Sequence, residues 1–130
     1  MKIYSDNFQK LTVLLPSLLT LYGESKLTAL GSDDVNVQIV HRHENRIELR
    51  LSHHLALLDG RAIPDPDVTL AIYPLAQTVE VLTHEDCFGQ RRVYCDVLKV
   101  FSPLAQRDLN NLLGDWLTKL LTENRQVALD

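Results

Sequence analysis

The 130 residues suffice for one domain with a single core, and 45% hydrophobic with 23% charged content excludes a disordered chain. A formal net charge of −4 argues against a protein that grips nucleic-acid backbones by bulk charge. Cys87 and Cys95 are too few for a disulfide framework and lack metal-type spacing, so a reducing compartment is the natural setting.

In chain order, Asp6 with Gln9 three residues on has the form of a helix capping box. Phe8, Leu11, Leu15, Leu18 and Tyr22 then recur at helical spacing. Pro16 would clash with the Thr12 carbonyl in a regular helix. The spacing therefore predicts one Pro-kinked helix or two short ones, closing before Gly23. Lys2 and Lys10 with the apolar run from Leu11 to Leu21 also resemble a secretory leader. Asp6, Pro16 and two threonines break that pattern, which makes a core helix the better reading. The run is too short to span a bilayer.

Residues 24–34 read as a polar connection. Val35, Val37, Ile39 and His41 then alternate with polar residues, as do Ile47, Leu49, Leu51 and His53, which predicts two half-buried strands. His43-Glu44-Asn45 between them suits a short hairpin loop. Opposing Arg42 to Arg46 sets Ile39 across from Leu49 and Val37 across from Leu51. Arg42, Arg46 and Arg50 then share the outward face. Residues 54–67, with Asp59-Gly60, Pro64 and Pro66, read as a long connection. Val68, Leu70 and Ile72 make a third strand, Val79 and Val81 a fourth, and Val93, Cys95 and Val97 a fifth.

From Ser102 to about Asn124 the chain reads as one long helix. Ser102 suits the N-cap and Pro103 the position after it. Ala105, Leu109, Leu112, Leu113, Trp116, Leu117, Leu120 and Leu121 make its apolar stripe. Gly114 within it, costing roughly 1 kcal/mol against alanine, points to close packing. The predicted fold is α+β: one domain over residues 1–130, an antiparallel sheet of about five strands covered by an N-terminal Pro-kinked helix and a long C-terminal helix.

His41 and His43 form an H-x-H pair on a strand face, a spacing that zinc sites use. The hairpin register puts His53 at the opposite end, so no third ligand arrives there, and half-solvated strand-end histidines are the expectation. No metal and no cofactor is predicted. Asp59, Asp65 and Asp67 offer carboxylates but match no calcium loop. The three arginines suit a phosphate, a carboxylate or an acidic partner. Ser52-His53 and Thr83-His84 lack a nucleophile elbow, and there is no phosphate loop, dinucleotide fingerprint or paired CxxC.

Three stretches carry a family resemblance. They are Asn7-Phe8 with Leu14-Leu15-Pro16, Val68 to Tyr73 followed by Ala76 and Glu80-Val81, and Asn110-Asn111-Leu112-Leu113-Gly114-Asp115-Trp116-Leu117. Together they resemble the YqiB-like family of small bacterial proteins, a domain of unknown function. Where that pattern has arginine, histidine and aspartate around the shared tyrosine, this chain has Ala71, Pro74 and Leu75. The family's tyrosine-proline-asparagine stretch has no counterpart. The resemblance implies a bacterial cytoplasmic protein and adds Tyr73 and Glu80 to the candidate contact residues.

The function read from the sequence is a non-catalytic binding or protein-interaction module, with Arg42, Arg46, Arg50, Tyr73 and Glu80 as contacts. Its partner is another protein or a second copy in a homodimer, through an exposed sheet edge. Membrane and nucleic acid are not expected partners. One alternative is a small acid–base or metal-assisted enzyme using the strand-end histidines and loop aspartates. The other is a small-anion or nucleotide binder using the arginine face.

Overall fold

The computed structural model describes residues 2–20, 23–31, 33–95 and 100–128. Leu21, Tyr22 and Val97, which the sequence placed in the first helical segment and the fifth strand, lie outside them. The fold is α+β, with an antiparallel sheet and one helix from each end of the chain.

Helix α1 spans Lys2–Leu14, so Asp6 sits inside it and is not its cap. Tertiary packing overrides the local signal. Ile3 packs at the crossing with the C-terminal helix, its Cδ1 3.3 Å from where a Cβ on Gly114 would stand. Pro16 stops the helix and does not kink it. The Leu15 amide still donates to the Leu11 carbonyl at 2.8 Å, and the chain then tightens into a 3₁₀ turn over Leu18–Thr20.

The strands are β1 (Glu24–Thr28), β2 (Val35–Arg42), β3 (Ile47–Ala56), β4 (Ala62–Tyr73), β5 (Thr78–Asp86), β6 (Gly89–Arg92), β7 (Tyr94–Cys95), β8 (Val100–Phe101) and β9 (Gln126–Ala128). Seven of them form one antiparallel sheet in the order β6-β5-β4-β3-β2-β1-β9, and β7 pairs with β8 in a separate ribbon. The expected count of about five is exceeded where apolar alternation is faint. β1 buries only Ser25 and Leu27, and β6 is exposed throughout. The supposed connection over 54–67 is largely strand, with Pro64 and Pro66 inside β4. Proline is tolerated there because β5 pairs with β4 only from Asp67 onward, so this part of β4 has one open edge.

The β2–β3 register holds at Ile39↔Leu49 and Val37↔Leu51. Nearer the turn a bulge at Val40 shifts it, so that His41 faces Glu48 and Arg42 faces Ile47. One extra residue reverses the side-chain alternation beyond it. Arg42 is therefore carried to the apolar face, where its guanidinium donates to the Leu18 carbonyl at 3.3 Å. The expected three-arginine face does not form.

The core lies between the sheet and the helices. Leu49, Leu51, Leu70, Ile72, Val79 and Val81 of the sheet cluster with Leu11, Leu14 and Leu15 of the N-terminal segment. Helix α2, Pro103–Thr122, adds Leu109, Leu113, Leu117 and Leu120. Its N-cap is Ser102, whose hydroxyl accepts from the Ala105 amide at 3.2 Å. α1 and α2 meet at a polar crossing: the Asn7 amide donates to the Asn110 carbonyl at 2.9 Å, both residues fully buried.

Candidate functional site

Period-2 alternation leaves the second face of the sheet with a different chemistry. Opposite the buried rows of β3 and β4 stand Arg46 just ahead of β3, Glu48 and Arg50 on β3, and Asp67, Thr69 and Tyr73 on β4. From β5 come Glu80, Thr83 and Glu85, which pair across to Ala71, Thr69 and Asp67. A second bulge, at Leu82 of β5 opposite the Thr69–Leu70 step of β4, keeps Glu80, Thr83 and Glu85 on the same side.

Two adjoining hollows occupy this face. One, of about 350 Å³, is lined by Gln38, Arg50, Asp67, Thr83, Glu85 and Gln90, among others. The second, of about 500 Å³, is lined by Arg46, Glu48, Tyr73, Glu80, Arg92 and Tyr94, among others. Thr69 and Thr83 belong to both, so the hollows form one groove crossing β3, β4 and β5.

Glu80 is the hub of the second hollow. The Tyr73 hydroxyl donates to its Oε1 at 2.8 Å, and the Tyr94 hydroxyl and Gln106 amide donate to its Oε2 at 3.1 and 2.9 Å. Tyr94 arrives because the chain leaves β6 along the side of β5 that β6 no longer pairs. The Val93 amide donates to the Leu82 carbonyl at 3.0 Å, and the Ser102 amide returns to the Val93 carbonyl at 2.9 Å. Gln106 follows at the start of α2. Loss of water around its hydroxyl, then the nearby Glu80 carboxylate, push the Tyr94 phenol up to about 12. Tyr73 is raised too, by burial foremost and by Glu80, against the opposing effect of Arg46.

The arginines are held by carboxylates. Arg46 pairs with Glu48, donates from Nε to the Tyr73 hydroxyl at 3.4 Å and lies 5.9 Å from that ring's centre. Arg50 forms a bidentate pair with Asp67, its Nε 2.8 Å from Oδ1. The structure thus gathers Arg46, Tyr73 and Glu80, places Arg50 in the adjoining hollow, and puts Arg42 on the opposite face. Arg92, Tyr94 and Gln106 went unread. Nothing in the spacing of a fully exposed strand or a helix start ties Arg92 to this hollow or Tyr94 and Gln106 to Glu80.

The histidines fall in separate places. His41 and His43 stand together at the β2–β3 turn, their Nε2 atoms 2.7 Å apart. At the other end of the sheet, His53 lies 3.5 Å from Asp33 and 3.6 Å from Asp65. His84 stands on the apolar face of β5, 3.8 Å from Asp86. Asp59 is taken up by Arg61 in its own turn. The strand-end pair, which the enzyme alternative combines with loop aspartates, is therefore remote from Asp59 and Asp65 beyond the other end of β3, and Asp67, opposite Ser52, is taken up by Arg50. Among the described residues no group of three or more His, Cys, Asp or Glu is placed to hold a metal ion. Cys87 is an exposed free thiol in the β5–β6 turn.

A larger cavity of about 550 Å³ lies between Pro16, Leu121 and Val127, beside Arg125. Arg125 there serves the fold, donating to the carbonyls of Leu27 at 3.0 Å and Asp33 at 2.7 Å. No described helix is long and apolar enough to cross a membrane.

The model of a family described as "Protein of unknown function (DUF1249)" matches residues 10–126, from the middle of α1 to the start of β9. No curated protein and no solved structure matches the chain. Across its sheet and both its helices, then, the chain belongs to the DUF1249 family.

Proposed function

We propose that this protein is a non-catalytic binding module whose polar sheet face takes a short peptide segment of a partner protein. The carrying observation is the continuous groove through Thr69 and Thr83, in which Arg46, Arg50 and Arg92 alternate with Glu48, Asp67, Glu80 and Glu85. Mixed charge of this kind favours a ligand with both signs and many backbone donors and acceptors. A simple anion would meet four carboxylates beside three guanidinium groups, and the displacement of Arg42 removes the arginine cluster it needed. The bacterial cytoplasmic setting and the resemblance to the YqiB-like proteins belong to this reading. The unpaired thiol of Cys87 fits a reducing compartment.

The test is an array of short random peptides probed with the protein and with Thr69→Trp, which places an indole where the two hollows meet. Selective binding to peptides of mixed charge, lost in Thr69→Trp with the fold intact by circular dichroism, supports the reading. Binding unchanged by Thr69→Trp, or absent altogether, overturns it.

A further inference from the structure

The β2–β3 turn carries a second feature, independent of the groove ligand. His41 and His43 are both exposed, and their rings meet edge to face at 82° with centroids 4.2 Å apart. Their Nε2 atoms converge to 2.7 Å. The bulge at Val40 creates this arrangement. Without it, His41 would continue the alternation of Val37 and Ile39 toward the core; with it, His41 faces Glu48 on the polar side, two residues from His43. The turn is fixed by the His43 amide, which donates to the Arg46 carbonyl at 2.8 Å.

Two Nε2 atoms at this distance cannot both carry protons toward each other. One ring donates and the other accepts; once the bridging proton moves to the donor ring's own Nδ1, both Nε2 lone pairs face the space between the rings. A metal ion can take the place of the shared proton. Bonds of about 2.0–2.1 Å at a right angle need nitrogens roughly 2.9 Å apart, so the rings have only to open by roughly 0.2 Å.

We infer that His41 and His43 form a two-nitrogen chelate for a late first-row divalent metal ion, with water completing its coordination. Imidazole pairs favour copper over nickel and zinc, and discriminate against the hard cations magnesium and calcium. The sequence spacing alone gave an H-x-H pair without a third ligand. The structure adds convergence of the donor atoms, which a two-residue step along a strand does not guarantee.

The experiment is isothermal titration of the untagged protein with Cu²⁺, Ni²⁺, Zn²⁺ and Ca²⁺, each alone, alongside His41→Ala, His43→Ala and the control His54→Asn. One equivalent of metal should bind, tightest for Cu²⁺, with no Ca²⁺ heat. Each of the two alanine variants should weaken Cu²⁺ by at least the roughly tenfold that even an outer-shell partner of a metal site carries. His54→Asn should match the parent. Because both rings are exposed, circular dichroism should be unchanged in all three. No Cu²⁺ binding, binding that survives both alanine variants, or equal loss in His54→Asn overturns the inference.

Discussion

Gln106 and Glu80 are joined by a hydrogen bond of 2.9 Å from the start of α2 to the polar side of β5. The helix that closes the apolar core also fixes a carboxylate of the groove. Tyr73 and Tyr94 complete the contact set of that carboxylate.

Replacing Glu80 by alanine therefore deprives two hydroxyls and an amide of their acceptor. The expected loss is about 1–3 kcal/mol, toward the lower end because water reaches the Tyr94 hydroxyl. Glu80→Gln keeps an acceptor oxygen and should lose less. Urea unfolding of the two variants measures the difference, and equal stability of Glu80→Ala and the parent would count against the hub.

Gly114 lies where α1 crosses α2. A Cβ there would stand 3.0 Å from Asn7 Oδ1 and 3.3 Å from Ile3 Cδ1. Alanine ordinarily gains about 1 kcal/mol over glycine inside a helix. Asn7 cannot retreat, since it is fully buried and its amide is committed to the Asn110 carbonyl. Gly114→Ala should thus be destabilising by about 1 kcal/mol despite its better propensity. In an Asn7→Ala background the same substitution should become stabilising, a sign change readable in the thermal midpoints of the four proteins.

His84 is lowered from its usual value of 6.5, chiefly by burial and further by Arg91, with Asp86 opposing. The folded state thus binds this proton less readily than the unfolded chain. Stability from His84 is unaffected above pH 6.5 and is lost as pH falls from there toward the depressed folded value. Urea midpoints between pH 7.5 and 5 should decline less steeply for His84→Asn than for the parent. An identical slope would show that the ring carries none of the dependence.

Ser102→Ala removes the N-terminal side-chain cap of α2, which serves the Ala105 amide at 3.2 Å. A loss of about 1 kcal/mol is expected, with Ser102→Asp restoring most of it. Loss from both variants alike would mean that packing at Ser102 outweighs the cap.

Long-range order was legible where periodicity was strong. Leu109, Leu113, Leu117 and Leu120 of α2, its serine cap and the Ile39–Leu49 and Val37–Leu51 pairs could be read from spacing, whereas Leu112, counted into the same stripe, is exposed. The bulge at Val40 could not, because no residue type announces it, and it alone reversed the side of Arg42. β6 and β9 were hidden for another reason: exposed Gln90, Arg91 and Arg92 and the three-residue β9 have no apolar pattern, and they pair because β5 and β1 offer edges. In the groove, Tyr73 and Glu80 came from a resemblance and Arg46 from strand alternation. Tyr94 and Gln106 depend on how the chain travels around the edge of β5, which only the folded backbone determines.

The most direct test of the groove is amide chemical-shift mapping of the ¹⁵N-labelled protein titrated with a mixture of short zwitterionic peptides. Saturable shifts are expected at residues 46–50, 67–73 and 80–85, with the helix crossing at Asn7 and Asn110 unmoved. Shifts confined to the cavity around Pro16, Leu121 and Val127, with the polar sheet face silent, would contradict it.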